Sequence, residues 1–187
     1  MTLLALVYAG FVFYVLSGAK LADTVFCAAG QRVFHIPESA CRQYVSHFAQ
    51  NHSQEELDFA LNVAIFSAFD HAEPEENRRK SLRLVPPLLA AGANVNTMSP
   101  THGATLLNEA IISDNATLVH YLLQIGANPD MPDRTDRRQT AWEFLYWLEA
   151  EWKLDRQEVR RALEEGSRSD AEQNTSHNWS SSAAAAR

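Results

Sequence analysis

Positive charge is in short supply, with 16 Lys and Arg against 23 Asp and Glu and a formal net charge of −7. Phosphate backbones are held by clustered cations, so no nucleic-acid partner is expected. Cysteine occurs only twice, as Cys27 and Cys41, too few for a disulfide-rich scaffold or a four-cysteine zinc site. The pair can close one disulfide in an oxidising compartment or remain two buried thiols, and the second reading is preferred from the sequence. Glycine occurs seven times, in no phosphate-binding loop, nucleophile elbow or kinase signature. The seven histidines form no H-x-x-x-H pair on a helix, and neither cysteine sits in a C-x-x-C arrangement. Adjacent carboxylates such as Glu55 with Glu56 and Glu164 with Glu165 would point about 100° apart on a helix, so they read as solvated faces. Catalytic residues, a metal, another cofactor and a small-molecule substrate are therefore not expected, and the chain reads as a non-enzyme.

An apolar stretch opens the chain. From Leu3 to Leu16 every residue is apolar, aromatic or glycine, and the run continues through Ser17, Gly18 and Ala19 to Lys20. As a helix, residues 3–19 would measure about 25 Å, near the lower limit for crossing a bilayer. The expectation is an uncleaved single-pass membrane anchor within residues 1–22. The charges beyond it weakly favour a cytoplasmic location for the rest, with a periplasmic or other extracytoplasmic side open. The competing reading is a signal peptide. Ser17 and Ala19 give the small-residue spacing of a cut before Lys20, but a basic leading region is missing. A third reading is a buried helix of the folded domain.

Self-similarity organises the remainder of the chain. Val85-Pro86-Pro87-Leu88-Leu89-Ala90-Ala91-Gly92-Ala93-Asn94 matches Val119-His120-Tyr121-Leu122-Leu123-Gln124-Ile125-Gly126-Ala127-Asn128 at an offset of 126 − 92 = 34 residues. A fainter copy runs through Val159, Ala162, Leu163 and Gly166. Each places apolar residues on one helical face that ends at glycine, the residue suited to a left-handed terminating turn. Each has an earlier partner helix: Ala60 to Ile65, Leu106 to Ile111, and Ala141 to Leu145. The first unit carries an insertion around His71 to Arg79, punctuated by Pro74. Pro86 and Pro87 place the start of its second helix, or a bend, near themselves. Pro37 to Gln50 reads as a further helix, with Tyr44, Val45 and Phe48 on one side, and Ser53 with Glu56 as a capping box opening a long helix to Ala68.

The middle unit carries a resemblance. His102-Gly103-Ala104-Thr105-Leu106-Leu107-Asn108-Glu109-Ala110 is similar to the opening G-x-T-P-L-H-x-A of the ankyrin repeat, and Leu122-Leu123-Gln124-Ile125-Gly126-Ala127-Asn128-Pro129-Asp130 to its close, L-L-x-x-G-A-x-x-N/D. Leu106 stands where that family has proline and Asn108 where it has histidine. The resemblance implies an all-α stack of about three helix pairs over residues 55–166. Residues 23–54 form a linker and capping helix before it, and residues 167–187 a disordered tail after it.

The same resemblance implies a recognition face made of inter-repeat hairpins and the first helix of each unit. Candidate partner-binding residues are Met98 and Thr101 in one hairpin, and Met131, Asp133, Arg134, Arg137 and Arg138 in the next. Tyr146 and Trp152 are the aromatic residues expected to stay exposed on the third unit's first helix. The expected function is a membrane-tethered module that binds a protein partner, as an adaptor, inhibitor or immunity protein. The alternative is a structural subunit of a membrane complex.

Overall fold

A computed structural model of the chain describes residues 2–31, 35–99 and 101–168, with side chains from residue 6 onward. It is all-helical, and among the described residues the sole β pairing is an isolated antiparallel bridge between Met98 and Thr105. Two compact units divide it at Val95 and Asn96.

The first unit holds α1 (Thr2–Ser17), α2 (Leu21–Ala28), α3 (Glu38–Phe48), α4 (Gln54–Phe69), α5 (Glu75–Leu82) and α6 (Val85–Ala90). The amphipathic α2 packs against α3, α4 and α5, burying Leu21, Val25 and Ala28 almost completely. Pro37 precedes α3 and a 3-10 turn, Ala49–Asn51, comes after it, so the predicted helix over Pro37 to Gln50 is found with Tyr44 and Val45 buried and Phe48 half-buried. Ser53 caps α4 by accepting the Glu56 N–H at 3.3 Å.

Four sequence expectations are corrected here. The membrane anchor is the first, because no helix among the described residues is long and apolar enough to cross a membrane. Helix α1 stops at Ser17 after 16 residues, about 24 Å, and buries Val12 and Leu16 in the unit while the Phe13 ring meets Phe48 at 5.1 Å. With it falls the single-pass location. Second, Cys27 and Cys41 are bonded as a disulfide that ties α2 to α3, their Cα atoms 6.0 Å apart. Third, the insertion around His71 to Arg79 carries a helix of its own, Glu75–Leu82, for which the sequence reading had no place. Pro74 leads in, Glu75 and Glu76 lie in its first turn, and Arg79 and Lys80 lie in its last, charges that suit the helix dipole. Lys80 fastens it to α3 by pairing Glu38 at 2.8 Å as well as Glu76 at 2.9 Å. The fourth correction concerns Gly166, which lies within a helix rather than ending one.

The second unit holds α7 (Leu106–Ile112), α8 (Ala116–Gln124), α9 (Ala141–Glu151) and a helix over residues 157–168, α10. Helix α7 packs on α8 and on α9, burying Leu107, Ala110 and Ile111. Helix α10 adds Val159 and Leu163 to this core. Gly166 is buried in it, and a Cβ there would overlap the Leu123 side chain of α8. Arg156 anchors the start of α10 by pairing Asp114 in the α7–α8 turn at 2.6 Å. Ser167 and Arg168 still belong to α10, and the rest of the predicted tail lies outside the described residues.

The 34-residue repeat recurs as backbone geometry. Gly92 after α6 and Gly126 after α8 sit at φ +105° and +94°. In the first turn the Ala93 N–H reaches the Leu88 carbonyl at 3.0 Å, and in the second Ala127 reaches Leu122 at 2.9 Å. This is the six-to-one closure of a Schellman end, which needs a residue without a Cβ penalty at the left-handed position. Each turn is also held by side chains. Gln54 donates to the Gly92 carbonyl at 2.9 Å and Asp58 accepts from Asn94 N–H at 2.8 Å. In the second unit Asn96 performs both tasks for Gly126 and Asn128, at 3.1 and 2.7 Å. The two prolines of α6 fall in its first turn, where a missing N–H costs nothing, so that helix begins at them.

Candidate interaction surface

The surface is built from the second unit alone. Its frame is the turn closed by the Met98–Thr105 bridge and by Ser99 N–H to Ala104 O at 2.8 Å, and a loop over residues 131–140. Arg134 N–H donates to Gly103 O at 2.8 Å, so the two loops lie against each other. Gly103 makes this approach possible, since a Cβ there would stand 2.9 Å from the Arg134 carbonyl carbon.

Asp133 organises the loop from inside. It is 3% exposed, and its carboxylate accepts from Thr135 N–H at 3.2 Å, Thr135 hydroxyl at 2.7 Å and Gln139 N–H at 3.1 Å. The other oxygen takes the Asn108 amide of α7 at 3.0 Å. A loop curled around one carboxylate presents its remaining side chains outward, and Arg134, Arg137 and Arg138 are all exposed. Arg138 adopts φ +51°, a left-handed conformation uncommon for a residue with a Cβ and held by the surrounding loop. Among the described residues none of these three guanidinium groups pairs with a carboxylate.

The loop runs straight into α9 through a capping box. Thr140 N–H and hydroxyl donate to the Glu143 carboxylate at 2.9 and 3.0 Å, and Glu143 N–H returns to the hydroxyl at 3.3 Å. The backbone and side-chain hydrogen bonds from Thr140 hold the Glu143 carboxyl below its ordinary value. Helix α9 then turns Trp142, Tyr146 and Ala150 to the same side, four residues apart, with Leu145 and Leu148 inward. Between this side and Arg137 and Arg138 lies an open groove of about 520 Å³. The Arg137 guanidinium sits 4.3 Å over the Trp147 ring, which in turn stacks with Phe144 at 5.9 Å and meets Trp152 edge-on at 5.5 Å. Tyr146 and Trp152 remain 70% and 59% exposed.

Of the residues singled out from the sequence, Arg137, Arg138 and Tyr146 line this groove, and Trp152 joins the aromatic row beside it. Arg134 and Thr101 are exposed and Met98 and Met131 half-buried, none of the four lining it, while Asp133 points inward. Trp142 and Trp147, which sequence reasoning left in the core, are half-buried groove walls. The i, i+4 aromatic spacing of Trp142 and Tyr146 was the available signal. On α7, burial pushes the Glu109 carboxyl up, opposed in part by His102. Comparison with protein-family models, with curated proteins and with solved structures finds no match to this chain.

Proposed function

We propose that this chain is a protein-interaction module. Its helix pairs are a degenerate form of the ankyrin repeat, and the groove beside α9 grips an extended segment of a partner carrying carboxylates next to an apolar anchor. The repeat reading is supported by the 34-residue recurrence of the Gly92 and Gly126 turns and by Thr105, whose hydroxyl caps α7 where the family's threonine stands. The observation that carries the binding reading is the row of exposed and half-buried aromatic rings flanked by arginines that pair with no carboxylate among the described residues. Tyr and Trp bury large apolar area with little entropy loss, and Arg adds directional bonds to carboxylates, which makes these residue types the usual anchors of interfaces. A guanidinium already stacked on Trp147 is partly preorganised for that task. No bond making or breaking enters this reading.

The test compares partner capture by the intact chain with capture by a variant carrying Arg134→Glu, Arg137→Glu and Arg138→Glu, both shown to be folded by circular dichroism. The account expects the variant to lose the specific partner. Retention of every wild-type partner would remove the groove from consideration.

A further inference from the structure

We propose that the peptide bond between Ala19 and Lys20 is a processing site, at which α1 is cut away as an export leader, leaving a protein that begins at Lys20. The site lies in the first unit and is independent of the partner-binding reading.

Helix α1 is apolar on every side, and in the folded chain most of it is uncovered: Leu6, Val7, Phe11 and Tyr14 are between 61% and 76% exposed. A helix apolar all round is ordinarily buried in a core or a bilayer. This one is too short to span, and an exposed apolar surface of this kind is an aggregation liability in a lasting structure. A 7 to 15-residue apolar core and a small-residue cleavage site are instead two of the three parts of a transient export signal.

The junction is shaped for cutting. Regular helix ends at Ser17, Gly18 and Ala19 form a turn, and Lys20 is extended at φ −65° and ψ 141°. Ser17, Gly18 and Lys20 are exposed and Ala19 is half-buried. A processing protease binds its substrate as an extended strand, in which residues two apart face the same way; Ser17 and Ala19 would then offer two small side chains to neighbouring pockets. Hydrolysis adds water across the Ala19 to Lys20 amide, leaving a carboxylate on Ala19 and a new α-amine on Lys20.

The chain beyond the junction keeps its own core and its own fastening. Leu21 is wholly buried one residue past the cut, and α2 stays packed on α3, α4 and α5. The disulfide between Cys27 and Cys41 is a second, separate pointer, because such bonds form and persist in oxidising compartments outside the cytosol. There a disulfide-bearing oxidoreductase takes two electrons and two protons from the thiols. Export would bring the chain to that chemistry.

The test is to produce the full chain, tagged at its C-terminus, in a bacterial host with an intact general secretory pathway. Intact mass and N-terminal sequencing are read together with alkylation of thiols before and after reduction. The expected product starts at Lys20, is released with the extracytoplasmic fraction and alkylates only after reduction. Ala19→Arg should abolish the cut and leave the precursor unprocessed, and Ala19→Gly should retain it. A product that keeps α1 in any fraction, or a new N-terminus elsewhere, overturns the proposal.

Discussion

Asp133 shows how much one carboxylate can decide. Its four hydrogen bonds shape the loop that carries Arg134, Arg137 and Arg138. Asp133→Ala would leave Gln139 N–H without its acceptor and the buried Asn108 amide with only its longer bond to the Gln139 carbonyl at 3.4 Å. An unsatisfied buried donor costs about 1–3 kcal/mol, so a loss of at least that size is expected in urea unfolding, together with weaker partner binding. Arg138→Gly separates the two effects, since glycine accepts the left-handed backbone without strain; it should leave stability equal or higher while weakening binding. Glu109 gives a pH-dependent check. Its folded-state carboxyl is raised by burial, so the folded state binds that proton more tightly than the unfolded chain does. The resulting stabilisation is present below the ordinary glutamate value, near pH 4.5, and is lost as pH rises through the raised one. Glu109→Gln should therefore raise the thermal midpoint at pH 7 and lose that advantage near pH 4. From the sequence Asp133 reads as one more exposed loop charge, because nothing local says that a loop will curl around it. Tyr146 and Trp152 are exposed as expected, whereas the half-open position of Trp142 and Trp147 depends on where Arg137 settles.

At the scale of the element, the helices that were legible are those whose apolar period and stop signals agree. Leu88 and Leu122 are fully buried, and the glycines four residues beyond them adopt the left-handed turn. Gly126→Ala should cost about 1–2 kcal/mol from backbone conformation alone, measured by thermal unfolding. The capping box of Thr140 and Glu143 was equally readable as T-x-x-E before an apolar run, and Thr140→Ala should cost about 1 kcal/mol. Helix α5 was not legible because its residues are almost all polar. It stands on end charges and on the Lys80 pairing with Glu38, a contact that exists only once α3 is in place. The disulfide escaped for a similar reason: 14 residues of sequence separation permit a bond without requiring one, and the fold brings the two Cα atoms together. Closing a loop of that length is worth about 3 kcal/mol in the chain-entropy account, so reduction should lower the denaturant midpoint of the first unit by a corresponding amount.

For the whole molecule, the all-α class comes from paired apolar faces too narrow to bury themselves singly. The apolar opening stretch was legible as a helix, but its fate was not, since composition alone does not distinguish a span from a segment that stops at Ser17. The division at Val95 and Asn96 was not legible either, because the sequence repeat runs across it without a break in period. The central claim is that the loop over residues 131–140 and the outer side of α9 form a recognition face. Hydrogen exchange of the full chain, with and without a captured partner, tests it most directly. The account predicts that partner binding slows exchange of the amides from Arg134 to Trp147 and leaves the first unit's α2 and α4 as they were. Protection confined to other segments, with the amides of this loop and α9 exchanging at unchanged rates, would contradict it.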